Sequence, residues 1–93
     1  QRISNWIRRT AERAGTVSQY HLTQDLLFGR FELYGWRCRY CGTPLTKATV
    51  QADHRIPISR GGQNCPANIV PTCGPCNRKK WAKTEAEFLS EGT

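Results

Sequence analysis

No methionine occurs anywhere in these 93 residues, and the chain opens on Gln1; we expect a piece, or a processed form, of a longer protein. No apolar run approaches the ~20 residues that a bilayer-spanning helix needs, which excludes such a helix. No continuous apolar stretch follows the N-terminal charges, so the secretory pattern is missing too. Acidic residues are scarce, with seven Asp and Glu against fourteen Lys and Arg. Apolar residues are modest at 38%, in a domain small enough to bury only about two thirds of its unfolded surface. A core that thin needs support, and the five cysteines are the obvious means.

What is present is positive charge. The net +7 on 10.6 kDa is interleaved with Trp6, Trp36, Tyr40 and Trp81. Nucleic acid is the polyanion that fits, because Lys and Arg release condensed counterions from a phosphate backbone. An anionic membrane surface would satisfy the charge alone, and we expect no membrane partner.

The spacing predicts a basic helix over residues 4–14, capped by Ser4 or Asn5, stopped by Gly15 and carrying Arg8, Arg9 and Arg13. A second helix is expected over residues 23–33, capped by Thr23, with Leu22, Leu26, Leu27, Phe31 and Leu33 or Tyr34 as core. Short strands are expected over residues 47–53 and 68–71, the second ended by Pro71. Cys73-Gly74-Pro75-Cys76 opens a further helix, and the capping box Thr84-Glu85-Ala86-Glu87 starts a last one near residues 85–89. Core packing is the expected job of Trp36 and Trp81. His21 reads as a surface or capping residue.

Cys38/Cys41 and Cys73/Cys76 are two Cys-x2-Cys pairs. A two-residue gap lets one turn aim both sulfurs at a single ion, and two such turns complete a tetrahedral four-thiolate shell suited to Zn²⁺. Disulfides or a redox Cys-x2-Cys compete, but the two pairs and an odd Cys65 fit metal better. A closed shell offers no open position, so this zinc is structural. It implies a reducing intracellular compartment, hence a cytoplasmic protein.

Between the pairs lies Asp53-His54-Arg55-Ile56-Pro57-Ile58-Ser59-Arg60-Gly61-Gly62, then Asn68-Ile69-Val70-Pro71, and after the second pair Asn77-Arg78-Lys79-Lys80. This ordered set resembles the cysteine-bearing branch of the HNH endonucleases, known from bacteria and phages. The resemblance implies a small α+β fold, with a ββα-metal core of a two-stranded hairpin plus helix, a four-cysteine zinc site and flanking N- and C-terminal helices. It divides the chain into an N-terminal helical extension (1–35), a nuclease core (36–84) and a C-terminal helix and tail (85–93). It also implies roles: His54 as general base, Asp53 and Asn77 as ligands of the catalytic ion, and Asn68 as the brace of the loop around the histidine. Asn77 stands where many relatives carry His.

The chemistry agrees with that assortment. Phosphodiester hydrolysis needs an activated water, and imidazole with a pKa near ~6.5 can take its proton. Asp and Asn oxygens suit a hard ion, Mg²⁺ or Mn²⁺, with positions left for water and substrate. The resemblance implies DNA as substrate, duplex or branched, with 5′-phosphate and 3′-hydroxyl products. Nicking or double-strand cleavage would then depend on whether chains pair as a dimer. Arg55, Arg60, Arg78, Lys79 and Lys80 are expected to clamp phosphates. Neighbours on a strand point to opposite faces, so Asp53 and His54 can share one phosphate only at a strand end or a distortion. A non-catalytic, zinc-dependent nucleic-acid-binding module is the alternative, but it leaves Asp53, His54 and Asn77 without a purpose; a zinc-stabilised protein-interaction domain is a second, and it predicts no salt-dependent DNA binding.

Overall fold

Two four-residue strands frame the molecule in this computed structural model, which describes residues 2–14 and 21–91. β1 (Gln51–His54) and β2 (Ile69–Thr72) pair antiparallel, with Gln51 opposite Thr72 and His54 opposite Ile69. One residue later the chain enters α3 (Gly74–Lys80), and the two strands and this helix form a ββα unit. α1 (Arg2–Ala14) packs on β1, α2 (Gln24–Leu33) packs on β2, and α4 (Glu85–Glu91) closes the chain. The small α+β architecture read from the sequence is the one observed.

The core lies where the helices meet the hairpin: Ile3, Leu27, Phe31, Val50 and Ile69 are fully buried. Leu27 and Phe31 stand one turn apart on the α2 face that meets the sheet. Leu26 and Leu33, expected in the core, lie off that face and are exposed. Thr23 caps α2 as expected, its hydroxyl accepting from Leu26 N at 3.1 Å. The capping box of α4 is reciprocal: Glu87 N donates to Thr84 Oγ1 at 3.2 Å, and Thr84 N to Glu87 Oε1 at 2.9 Å.

Three expectations need correction. The first strand begins at Gln51, not residue 47. Thr46 and Thr49 spend their hydroxyls on a turn, with Thr46 N donating to Thr49 Oγ1 at 2.9 Å and Ala48 N to Thr46 Oγ1 at 3.2 Å; such local bonds compete with strand pairing. Pro71 does not end the second strand. Its carbonyl accepts from Arg39 N at 2.9 Å, on the side away from β1, so the missing N–H breaks no bond of the ladder. The first helix begins at Arg2, earlier than residue 4. Its stop at Gly15 lies outside the described residues.

The loop between the strands folds back on itself at the Gly-Gly pair. Gly61 has φ +90°, and a Cβ on Gly62 would lie 1.8 Å from the Ile56 carbonyl oxygen, so no larger residue fits. Asn68 ties this loop shut: Oδ1 accepts from Ile56 N at 2.9 Å, and Nδ2 donates to Ile56 O at 3.0 Å and Gln63 O at 2.8 Å.

Candidate functional site

Cys38, Cys41, Cys73 and Cys76 bring their sulfurs within 4.8 Å of one another. Cys41 and Cys73 stand 3.7 Å apart, close to the ~3.8 Å edge of a tetrahedron with ~2.3 Å metal–sulfur bonds, and far beyond the ~2.05 Å of a disulfide. The first pair sits on a tight knuckle, with Gly42 N donating to Cys38 O at 2.9 Å and Gly42 at φ +78°. The second pair opens α3, with Cys73 as its N-cap. A hydrogen bond from the Thr43 backbone lowers the Cys41 thiol to about 7, while burial pushes Cys73 and Cys76 up. Sulfurs gathered this closely are a donor set suited to one tetrahedral cation, which holds its cysteine ligands as thiolates. Cys65 lies outside the cluster, 3.9 Å from Gln63 Oε1.

The second constellation stands where β1 stops. His54 is the last residue of the strand, so the strand-end condition for sharing one phosphate is met. Asp53, His54 and Asn77 line one cavity of about 250 Å³, together with Trp6, Arg13 and Trp81. Asp53 Oδ2 accepts from Tyr40 Oη at 3.0 Å and pairs with Lys80 Nζ at 2.9 Å. Burial, then the Asp53 charge, hold the Tyr40 phenol well above its ordinary pKa, so it stays a donor. Asn77 donates through Nδ2 to Gln51 Oε1 at 3.0 Å. Among the described residues, nothing donates to Asp53 Oδ1 or Asn77 Oδ1. Two residues that line one cavity thus each keep a hard oxygen unclaimed, and such oxygens are donors suited to a divalent cation.

His54 is nearly buried. Its ring stacks on Trp6, centroids 5.1 Å apart at 29°, and Nε2 lies 2.9 Å from Asn64 Oδ1. An amide oxygen only accepts, so Nε2 carries the proton and Nδ1 keeps the lone pair. Burial lowers the imidazole pKa from its ordinary 6.5, opposed by the Asn64 hydrogen bond and the Asp53 charge.

A family model described as "HNH endonuclease" matches residues 38–92, more than half of the chain. The chain belongs to the HNH endonuclease family. It is 35% identical over 75 residues to the CRISPR-associated endonuclease Cas9 of Actinomyces naeslundii, covering 80% of this chain and 6% of that protein. It is 36% identical over 63 residues to the Cas9 of Corynebacterium diphtheriae, covering 58% of this chain and 6% of that one. The crystal structure of the Type II-C Cas9 enzyme from Actinomyces naeslundii superposes with a TM-score of 0.65 at 26% identity, covering 96% of this chain and 10% of that one. The HNH chain therefore spans a small part of the relatives it matches.

Around the HNH site the basic residues divide. Lys80, expected to clamp phosphate at the surface, is fully buried, and its ammonium is spent on Asp53 and on the His54 carbonyl at 2.9 Å. Arg55 pairs with Glu85 at 3.0 Å, and Arg60 with Glu87. Arg78 and Lys79 are exposed, and no described carboxylate pairs with either. Nothing in the residue order placed α1 at the site, yet this helix walls it. Trp6 and Arg13 line the main cavity, and Arg2 and Arg9 line a second of about 210 Å³ that shares Trp6, Ala52 and Asn77 with it. The signal was the spacing of Ile3, Trp6 or Ile7, and Thr10, which puts Ile3 and Thr10 fully inside.

The Asp53–Lys80 pair has an energetic consequence. Asp53→Ala strands a buried ammonium, and breaking such a pair costs about 3–5 kcal/mol. Urea denaturation should show that loss, and Asp53→Ala with Lys80→Met should recover most of it without recovering cleavage. A single variant as stable as the parent would remove the pair from the fold's support. Asn64 was missed altogether, because one Asn after a Gly-Gly pair reads as a turn former. Asn64→Ala frees the His54 ring to turn, and the cleavage rate at saturating DNA should drop roughly tenfold to a hundredfold, as when an outer-shell partner is lost. Asn64→Asp keeps an acceptor and should lose less; equal losses in both would argue against orientation.

Proposed function

We propose that this chain is the DNA-cleaving module of a larger CRISPR-associated endonuclease, hydrolysing a phosphodiester bond with His54 as general base. The observation that carries the reading is the shared cavity: His54, whose Nδ1 keeps its lone pair, lines the same small polar space as Asp53 and Asn77, each of which has an oxygen that no described residue engages. Asp53 and Asn77 would hold Mg²⁺ or Mn²⁺, which when bound neutralises phosphoryl charge and stabilises the leaving 3′-oxygen. His54 Nδ1 takes the proton of the attacking water, while Asn64 fixes the ring through Nε2. Asn68 acts at one remove, by holding the loop that carries Asn64. The four cysteines hold Zn²⁺ as a structural ion, which asks for a reducing, intracellular compartment where thiols stay free.

Arg78 and Lys79, beside Asn77, and Arg2, Arg9 and Arg13 of α1 supply positive charge around the cavity. Such charges position a phosphate backbone without reading its sequence. The test is conversion of supercoiled plasmid to open circle by the zinc-loaded chain with Mg²⁺ or Mn²⁺, together with end analysis of the product. Ends bearing 5′-phosphate and 3′-hydroxyl are expected. DNA binding with no nicking under either metal would leave the non-catalytic binding module as the better reading.

A further inference from the structure

α3 ends in a turn that favours glycine, and this sequence puts tryptophan there. Trp81 has φ +53° and ψ −125°, and Lys83 N donates to Lys80 O at 3.0 Å. That is the first central position of a type II′ turn, where a Cβ is strained and Gly is the usual occupant. Trp36 has the same φ of +53°, but its ring gains packing, edge-on to Phe28 at 5.2 Å and Phe31 at 5.6 Å. Trp81 gains none: it is 82% exposed, with no ring partner among the described residues. Core packing, the role expected from the sequence, is excluded.

The strain has an orienting effect. Lys80, one residue earlier, points wholly inward to Asp53, and the left-handed turn throws the next side chain out at the rim of the cavity that Asp53, His54 and Asn77 line. Strained backbone that is retained at a site and returns nothing in packing points to function. The charge beside it, Arg13 across the cavity lining and the free Arg78 and Lys79 on α3, suits a nucleic-acid strand.

We propose that Trp81 is a stacking platform for a nucleotide base next to the scissile phosphate, a role that rests on the nuclease reading above. An indole face binds any base through its π-surface, so the platform grips without choosing sequence, and it favours strands whose bases are unpaired. A contact to another part of a longer protein is the competing use of the ring, and the test separates the two.

The zinc-loaded chain is titrated against fluorescein-labelled single-stranded DNA, with Mg²⁺ and Mn²⁺ left out so that the strand stays intact. Trp81→Gly should weaken binding by roughly 5- to 100-fold, the range of one base–aromatic stack. Trp81→Phe should keep most of the affinity. Glycine adopts this backbone freely, so Trp81→Gly should melt above Trp81→Ala even as both lose DNA. In cleavage, KM should rise with kcat nearly unchanged. Wild-type Kd in the glycine variant, with cleavage intact, overturns the platform alone. A wild-type chain that neither binds nor nicks DNA overturns the nuclease reading and the platform with it.

Discussion

His54→Ala is expected to lower cleavage by about two to four orders of magnitude, the usual contribution of a positioned general base, while DNA affinity stays near that of the parent. Removing the ring also deletes the bond between His54 Nε2 and Asn64 Oδ1 and the stack on Trp6, at about 1–3 kcal/mol. Rates must therefore be compared well below the melting temperature of the variant, checked by circular dichroism. His54→Gln, which leaves a polar group near Asn64, should be more stable and equally slow. The pH profile makes the assignment sharper. Only the neutral imidazole can accept a proton, and burial lowers its pKa from 6.5. The acid limb of the rate should therefore fall below pH 6.5, and it should vanish in His54→Ala. Stability has a matching sign. As pH falls from 6.5 toward the folded-state pKa, the unfolded chain binds more protons than the folded one, so stability declines over that window. A folded His54→Ala chain that turns over like the parent would remove the imidazole from the mechanism.

Most of the candidate site could be named from the order of its residues along the chain. Cys-x2-Cys spacing is a local constraint, and local constraints survive in sequence. The Asp53-His54 dipeptide and Asn77 were legible for a related reason: one ends a strand, the other follows a cysteine whose position the sulfur cluster fixes. Contacts between segments far apart were not legible. Lys80 looked like one of three basic residues on a solvated helix face, and only the hairpin shows that its turn of α3 points at Asp53. Asn64 meets His54 across a loop whose path depends on Gly61, Gly62 and the bonds of Asn68. Trp81 was misread because an aromatic residue defaults to the core, and a positive φ is invisible in a residue name. Strand bounds failed where threonine hydroxyls chose a turn over the ladder, a competition that propensity alone cannot score.

Stripping metal from the four cysteines is expected to unfold the chain, the largest effect of all. Structural zinc contributes on the order of 10–16 kcal/mol at neutral pH in small metal-dependent domains, as much as the ~5–15 kcal/mol that holds a typical domain together. The cluster joins the hairpin to the helix: Cys38 and Cys41 sit on a knuckle bonded to β2 through Arg39 N and Pro71 O, and Cys73 and Cys76 start α3. Losing the ion frees the start of that helix, and with it Asn77 and Lys80, whose side chains bond to Gln51 and Asp53 of β1. Cleavage should then be lost for two separable reasons. A chelator at neutral pH should abolish both nicking and the near-ultraviolet dichroism of Trp36 and Tyr40. Excess Mg²⁺ alone should restore neither, whereas Zn²⁺ followed by Mg²⁺ should restore both. Cys76→Ser, which removes a buried ligand bonded directly to Asn77, should reproduce the unfolded state without any chelator. Unchanged dichroism and melting after metal analysis finds the thiols empty would show that the hairpin holds α3 unaided, and Asn77 would then keep its place with no ion behind it.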